Sequence, residues 1–226
     1  MPENFSMTNQ SPAKALKRLD IAAASSALQS GQIIAFPTET YFGVGGTALN
    51  PHVAAAVFRA KRRENSLALP IIVGSAEILK LLASEVPPLA LKLMEKFWPG
   101  PLSLLLPASR AVPELLVGPT GCIAVRQSPH PVAQILCRAC QGTLIASSAN
   151  ISGSAPVTRV EELDPELLNA LAGVVDLPPR PAGGAPSTLL GFAENDGTPY
   201  ILRHGAVSRE ELAQAGFAVG EEAALR

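Results

Sequence analysis

The stretch that decides the fold is GQIIAFPTETYFGVGGTALNP, residues 31 to 51. Its apolar run from Ile33 to Phe36 has the length and composition of a buried strand, and Pro37 ends that run. Two threonines around a glutamate come next, followed by a cluster of glycines. Asn50 and Pro51 then predict a helix start, because asparagine caps a first turn and proline is tolerated in it.

The glycine cluster also fits a nucleotide-binding pattern. Gly43, Gly45 and Ala48 match G-x-G-x-x-A, which in dinucleotide-binding folds opens a helix whose N-terminus binds the pyrophosphate. Here the helix signal begins only at Asn50, and the acidic residue about twenty positions on, Glu64, closes a basic helix end. We therefore expect no nicotinamide or flavin site, but a tight turn that needs glycine dihedrals and lets a ligand pass close to the backbone.

Length and composition predict one globular domain. A chain of 226 residues with 47% hydrophobic and 16% charged residues can bury a single sizeable core. The first ten residues do not resemble a signal peptide, and no run of about 18 apolar residues occurs, so we expect a cytoplasmic protein without a membrane segment. A net charge of −1 gives no global attraction for nucleic acid, so any polyanion must meet a local cationic cluster.

Helix and strand signals alternate along most of the chain. We expect a first helix from the cap pair Ser11-Pro12 to Gly31, and a later helix that opens with a capping box of Thr158 and Glu161 and runs through Leu171. The remaining signals predict helices at 51–60, 75–83, 87–98 and 131–140, and strands at 69–73, 102–106, 123–126 and 144–147.

The C-terminal part differs, because it carries a hairpin signal. Two strand-like runs, 187–192 and 199–203, flank Asn195-Asp196-Gly197, and Ser208 with Glu211 caps a last helix. The fold class that fits is α/β: a single domain with a twisted mixed parallel and antiparallel sheet and flanking helices.

Three polar runs and one arginine are candidates for a site. The run 61–63, Lys-Arg-Arg, is typical of a solvated helix end, yet it lies between the glycines and a buried strand, where phosphate would be expected; we expect neither Lys61 nor Arg63 in the core. SSANISG at 147–153 and PST at 186–188 can be turns that bond their own backbone. Arg126 ends an apolar strand and needs an anionic partner once partly buried.

The cysteines and histidines point to no redox or metal chemistry. Cys137 and Cys140 imitate half of a redox or zinc motif, but their helical spacing beside apolar residues favours packed core thiols. None of the three histidines has a Cys-His or Ser-His-Asp pattern around it, and no carboxylate cluster suggests a metal site built by the protein.

Seven motifs together resemble the YrdC-like family. They are PTET with a downstream G-x-G, Lys61-x-Arg63, FWPGPLSLLL, CIAVR-x-x-x-H-P, SSAN-x-SG, PST and Arg203-x-Gly205, in that order. The resemblance implies a YrdC-like catalytic domain at 15–207, with an N-terminal extension at 1–14 and a C-terminal helix and tail at 208–226. It also implies a concave basic cleft and, because few residues follow Arg203, the short single-domain form.

The activity implied by the resemblance is threonylcarbamoyl-AMP synthase. Such a nucleotidyltransferase joins L-threonine, bicarbonate or CO2, and ATP, with Mg²⁺ carried by ATP, and its product goes to a tRNA threonylcarbamoyl transferase complex. The implied catalytic residues, which also bind ATP, are Lys61, Arg63, Ser148 and Asn150. Arg203 is implied as a further ATP contact, and the residues implied for threonine are Thr38, Arg126 and Ser187.

Departures from the family pattern occur at Tyr41, Phe42, Glu64 and Gly191, and they affect the shape expected for the pocket. Two other functions are left open by the sequence. A double-stranded RNA or tRNA-binding module would use the cations around Lys61 on an extended surface, with steeply salt-dependent binding, but the near-neutral net charge and few aromatic residues argue against it. A related carbamoyl transfer to another acceptor shares the motifs but belongs to larger multidomain chains.

Overall fold

A computed structural model of the chain describes residues 16–63, 69–193 and 196–220. The strands are β1 (Ile34–Pro37), β2 (Phe42–Gly45), β3 (Ile71–Val73), β4 (Leu102–Pro107), β5 (Cys122–Arg126), β6 (Thr143–Ile145), β7 (Ser147–Ser148), β8 (Thr188–Phe192) and β9 (Pro199–Arg203). The α-helices are α1 (Ile21–Gln29), α2 (Pro51–Lys61), α3 (Leu79–Leu82), α4 (Pro88–Phe97), α5 (Pro131–Ala139), α6 (Pro165–Ala170) and α7 (Arg209–Gln214). Short 3₁₀ turns lie at Ala76–Ile78, Glu114–Leu116 and Val160–Glu162.

The strands form two sheets where the sequence predicted one. A three-stranded antiparallel sheet has the order β1-β2-β7, and a six-stranded sheet has the order β6-β3-β5-β4-β8-β9. In the larger sheet β3 pairs parallel with β5 and β4 parallel with β8, whereas the other neighbours are antiparallel. The predicted class, α/β with mixed strand pairing and flanking helices, is confirmed.

The predicted strand 144–147 is two strands that belong to different sheets. β6 pairs with β3 in the larger sheet, and β7 pairs with β2 in the smaller one. Between them Ala146 donates its backbone N–H to Pro70 O at 2.9 Å. The chain therefore changes sheets at this one residue, directly before the SSAN motif.

The glycine cluster after PTET forms strand β2, so the predicted tight turn is wrong. Gly43, Gly45 and Gly46 have no positive φ, so glycine dihedrals are not required there. Space is what they provide: a Cβ on Gly45 would lie 1.7 Å from Ile145 O, and one on Gly46 would lie 2.7 Å from a methyl carbon of Val53. These glycines let β2 lie directly against β6 and α2.

The first helix begins later than predicted. Asp20 is its N-cap and accepts the N–H of Ala23 at 2.8 Å. The residues before it are extended, and Leu19 donates its N–H to Val174 O at 2.8 Å. Pairing with the 173–174 segment thus replaces the expected helical turn, while Ser11-Pro12 lies outside the described residues.

The predicted capping box of Thr158 and Glu161 is also wrong, because a different glutamate is the partner. Glu162, not Glu161, accepts the N–H groups of Thr158 and Arg159, each at 3.2 Å, and only a 3₁₀ turn follows. A separate helix, α6, begins after the N-cap Asp164, because proline at 165 suits a first helical turn but not a helix interior.

Several predictions based on local signals hold. β8 and β9 form the predicted antiparallel hairpin, although Asn195 of its turn lies outside the described residues. Ser208 and Glu211 form the predicted capping box. Asn50 caps α2 as expected.

Cys137 and Cys140 are core thiols, as predicted. Both side chains are buried among apolar residues between α1, α5 and β1. Burial raises the pKa of Cys137 to about 12 and that of Cys140 to about 11, so both remain protonated near neutral pH. None of the helices in the described ranges is long and apolar enough to cross a membrane.

Candidate active site

The eight site residues expected from the sequence lie in two groups. The Lys61 group consists of Lys61, Arg63, Ser148 and Asn150; the Arg126 group consists of Arg126, Thr38, Ser187 and Arg203. The β1–β2 hairpin links the groups, because Thr38 follows β1 while Gly43 of β2 pairs with Ser148 of β7.

Lys61 is the last residue of α2 and is buried, with only 1% of its surface exposed, so its predicted surface position is wrong. Its ammonium donates to the backbone carbonyls of Ser148 and Asn150, the second at 2.6 Å. Burial, and then the charge of Arg63, lower the pKa of Lys61 to about 8. The cation is thus held against main-chain oxygens and is poised to lose its proton at mildly alkaline pH.

The SSAN turn is held largely by hydrogen bonds from a side chain to its own backbone, as its composition indicated. The side-chain amide of Asn150 donates to Ile151 O at 3.0 Å and to Ser154 O at 2.5 Å. Its Oδ1 lies 3.5 Å from the Lys61 ammonium. The Ser148 side chain is exposed, so its hydroxyl is available to a ligand beside the buried cation.

Arg126 ends β5 and finds its anionic partner within the chain. It forms an ion pair with Glu39, whose second oxygen accepts the Ser128 hydroxyl at 2.7 Å. Burial alone would raise the pKa of Glu39, but the Arg126 charge and the Ser128 hydrogen bond outweigh it and hold the pKa below its ordinary value. Sequence reasoning missed Glu39, although an acid inside PTET was the available signal.

Ser187 lies between Arg203 and a serine that was not predicted. Arg203 donates to Ser187 O at 2.9 Å and to Ser187 Oγ at 3.0 Å. On the other side, the hydroxyl of buried Ser103 lies 2.8 Å from Ser187 Oγ. No separate sequence signal marked Ser103, which belongs to the FWPGPLSLLL motif.

Arg203 lies with the residues expected to bind threonine, although the sequence assigned it to ATP. The residue is exposed overall, yet desolvation of its guanidinium, and then the charge of Arg126, lower its pKa from the ordinary value. The two guanidinium groups are therefore close enough to repel each other. An anion placed between them would relieve that repulsion.

Thr38 is buried and connects to the rest of the PTET turn. Its hydroxyl donates to Tyr41 O at 2.7 Å and lies 3.5 Å from the Thr40 hydroxyl. The oxygen of Thr38 therefore has a fixed position beside the Arg126–Glu39 pair.

The overall charge of the two groups suits anionic ligands. Among the described residues, Lys61 and Arg203 contact no carboxylate, and Glu39 is the carboxylate that pairs with Arg126. No group of three or more His, Cys, Asp or Glu side chains in the described ranges could hold a metal ion. Two surface cavities of about 440 and 460 Å³ lie elsewhere and contain none of the eight residues.

Three of the four family departures fall on described residues. Phe42 is buried in β2. Gly191 lies in β8, where a Cβ would approach the Tyr200 ring to 2.6 Å, so glycine and tyrosine are matched across the hairpin. The Tyr41 hydroxyl donates to Gly184 O at 2.7 Å. Glu64 lies outside the described residues.

Comparison with known proteins identifies the family of the chain. The family model Sua5_yciO_yrdC, described as "Telomere recombination", matches residues 26–205. The chain belongs to this family. Other Sua5/YciO/YrdC proteins that it resembles include a threonylcarbamoyl-AMP synthase of Xylella fastidiosa, which is 37% identical over 168 residues, covering 74% of this chain and 88% of the relative.

Some relatives in the family are longer. A Pyrococcus abyssi threonylcarbamoyl-AMP synthase is 34% identical over 192 residues, which cover 85% of this chain. The chain spans 56% of the length of that relative and 55% of a Bacillus subtilis one. A crystal structure of P. abyssi Sua5 complexed with L-threonine superposes with a TM-score of 0.80 at 32% identity, covering 90% of this chain and 61% of that one.

Proposed function

We propose that the chain is a threonylcarbamoyl-AMP synthase, a nucleotidyltransferase that makes L-threonylcarbamoyladenylate and pyrophosphate from L-threonine, bicarbonate or CO2, and ATP. The observation that carries the proposal is that the chain holds a buried cation against the SSAN turn and, in the other group, two guanidinium groups that repel each other, one of which contacts Ser187. Relatives named threonylcarbamoyl-AMP synthase and the L-threonine complex of a related protein support it.

In this proposal the Arg126 group binds L-threonine. The guanidinium of Arg126 pairs with the α-carboxylate while it keeps its ion pair with Glu39, and Thr38 and Ser187 supply hydroxyl groups of fixed position. Arg203 contacts Ser187 beside them, and in this proposal it also contacts ATP and so joins the two substrates.

The Lys61 group binds ATP. Lys61 and Arg63 stabilise the phosphates, and the exposed Ser148 hydroxyl orients them without competing for protons. Asn150 supports this contact by fixing the turn, because its side-chain amide already donates to Ile151 O and Ser154 O. Mg²⁺ arrives with ATP and keeps mostly water and phosphate ligands, which is consistent with a site that needs no cage of carboxylates.

The reaction then needs charge stabilisation more than proton transfer. The threonine amine loses a proton and forms an N–C bond to CO2, giving a carbamate. A carbamate oxygen forms a bond to the α-phosphorus of ATP, the bond from that phosphorus to the bridging oxygen breaks, and pyrophosphate leaves. Because the nucleophile is already anionic, the main barrier is repulsion between anions, which Lys61, Arg63 and Arg203 reduce.

The product is a labile mixed anhydride, so a partner has to use it. We propose that a tRNA threonylcarbamoyl transferase complex takes it to make tRNA threonylcarbamoyladenosine, and that the chain acts in the cytoplasm. The synthase step itself requires no tRNA, because each proposed contact serves ATP or the amino acid.

The test is pyrophosphate release by the purified chain with each substrate omitted in turn. We expect release only when ATP, L-threonine and bicarbonate are all present, with or without tRNA. A Ser148→Ala variant should raise the KM for ATP more than the KM for threonine, whereas Ser154→Ala, at an exposed serine just after the SSAN-x-SG motif, is the matched control. Cleavage of ATP to ADP, or turnover indifferent to threonine, would contradict the synthase; steeply salt-dependent RNA binding in its place would favour the RNA-binding alternative.

A further inference from the structure

Three consecutive residues of the PTETY turn, 39–41, contact three consecutive residues of the segment 182–184. The backbone carbonyls of the first two accept N–H groups from this segment, and a side chain makes the third contact. The pairs are Glu39 O with Ala182 N at 3.1 Å, Thr40 O with Gly183 N at 2.7 Å, and Tyr41 Oη with Gly184 O at 2.7 Å.

The 182–184 segment has little else to hold it in place. Ala182 and Gly184 are exposed, and Gly183 and Gly184 have φ values of +75° and +92°. A segment without buried side chains depends on its hydrogen bonds for its position. Two of the three bonds are backbone contacts that most substitutions would keep, whereas the third depends on the hydroxyl of Tyr41.

Tyr41 also contacts the other side of the amino-acid site. Its backbone O accepts the Thr38 hydroxyl at 2.7 Å. Gly184, which its side chain holds, precedes Ser187 by three positions in the sequence. One residue thus connects Thr38 with the segment that leads to Ser187.

We propose that Tyr41 is a positioning residue for the amino-acid half of the site, setting the separation of the Thr38 and Ser187 hydroxyls through its bond to Gly184. This inference rests on the proposed function. Tyr41 is not expected to touch the reacting atoms, and the Lys61 group does not depend on it. Its effect should therefore fall on threonine and not on ATP.

The test is a Tyr41→Phe variant, which removes the hydroxyl and keeps the ring. Tyr200→Phe is the matched control, because it makes the same change at the other tyrosine of the chain, on β9 and away from the 182–184 segment. Threonine and ATP affinities are measured by calorimetry as well as by turnover, and backbone amide exchange is followed across 180–187.

In Tyr41→Phe we expect faster amide exchange at Ala182 and Gly183, and threonine affinity lower by roughly 3- to 10-fold, the range for the loss of one neutral hydrogen bond. ATP affinity, kcat and the melting temperature should stay near wild type, and Tyr200→Phe should leave the amide exchange at Ala182 and Gly183 and the threonine affinity unchanged. Unchanged exchange would overturn the inference, and so would equal weakening of both ligands. If the wild type released no pyrophosphate, the proposed function would fail, while threonine binding and amide exchange would still decide the role of Tyr41.

Discussion

The Lys61 group and the Arg126 group are held in place in different ways. Lys61 is buried and donates to two main-chain carbonyls of one turn. In the Arg126 group, the arginine binds the Glu39 side chain, and Ser187 bonds Ser103 and Arg203 through its hydroxyl. The Lys61 ammonium is anchored to the backbone, whereas the Arg126 group combines contacts between side chains with the backbone contacts of Arg203 and Thr38.

This difference indicates which variants will lose stability and which will lose only binding. Removing the Lys61 ammonium leaves two carbonyls of a buried turn without their donor, so the fold and the site are damaged together. Removing one member of the Arg126 group leaves neighbours that can still bond each other or water. Binding and folding should therefore separate in the Arg126 group and not in the Lys61 group.

The largest effect is expected from Lys61→Ala. The variant should lower the free energy of unfolding by about 2 to 4 kcal/mol, because buried carbonyls lose their partner, and should reduce pyrophosphate release by about 100-fold or more. Urea unfolding and initial rates measure the two quantities. Arg59→Ala, an exposed cation on the same helix, is the control and should change neither much. Wild-type stability in Lys61→Ala would show that the turn does not need its ammonium.

Arg126→Ala should have the next largest effect, and this effect should fall on the affinity for one ligand. Loss of a charge-assisted pair with the threonine carboxylate is worth about 1.5 to 3 kcal/mol, or roughly 10- to 150-fold in threonine affinity. Glu39→Gln is the companion variant, because it removes the carboxylate that pairs with Arg126 and keeps the Arg126 guanidinium. Calorimetry with each ligand separates the two substrates. An equal loss of ATP affinity would contradict the assignment of Arg126 to threonine binding alone.

The pH dependence should give opposite trends for binding and stability. The Lys61 pKa lies near 8 in the folded chain against an ordinary 10.5, so between these values the unfolded chain holds a proton that the folded chain has released. The contribution of this group to stability therefore rises as pH rises from 8 toward 10.5. ATP affinity should fall over the same range because the cation is lost.

ATP binding in the absence of threonine isolates this effect, since the phosphates of ATP titrate at lower pH. Titrations at a series of pH values on both sides of 8 should show the decline beginning near the Lys61 pKa. The neutral amine still has hydrogens for both carbonyls, so the melting temperature should not fall with the affinity. Constant ATP affinity across this range would mean that the Lys61 charge does not act on the nucleotide.

The smallest effect is expected from Ser103→Ala. Its hydroxyl bonds only Ser187 among the contacts described above, and Ser187 keeps Arg203 as a partner when Ser103 is removed. Threonine KM should rise by roughly 2- to 5-fold, less than for the full loss of a neutral hydrogen bond because Ser187 keeps Arg203, with little change in ATP KM. Steady-state kinetics with each substrate varied checks this, and Ser109→Ala, which removes a hydrogen-bonded hydroxyl in the loop after β4, is the control.

Elements with a local signal could be predicted from the sequence. Two helix starts are predicted within a few residues, by Asn50-Pro51 and by the capping box of Ser208 and Glu211. The β8–β9 hairpin is predicted by the residues of its turn. Their physical causes are contacts between near neighbours, so no knowledge of the rest of the fold is needed. The family motifs likewise supplied the eight residues predicted for the site, and their roles stay a prediction.

Features that depend on distant residues could not be predicted. The burial of Lys61 follows from carbonyls almost ninety positions away in the chain, and the partner of Arg126 is Glu39, also distant in sequence. The glycines of β2 were interpreted as a turn because the close contact with Ile145 is visible only in three dimensions. Arg203 was assigned to ATP by resemblance, whereas its nearest described contacts belong to Ser187.

The change of sheet at Ala146 has a consequence for any attempt to divide the chain. The three-stranded sheet is completed by β7, which comes about a hundred residues after the hairpin it closes. A cut anywhere between β2 and β7 therefore gives two fragments, neither of which contains that sheet. Such fragments should recover an ordered SSAN turn only after they reassociate, so a pair split in the loop between β4 and β5 would report its own assembly through ATP binding.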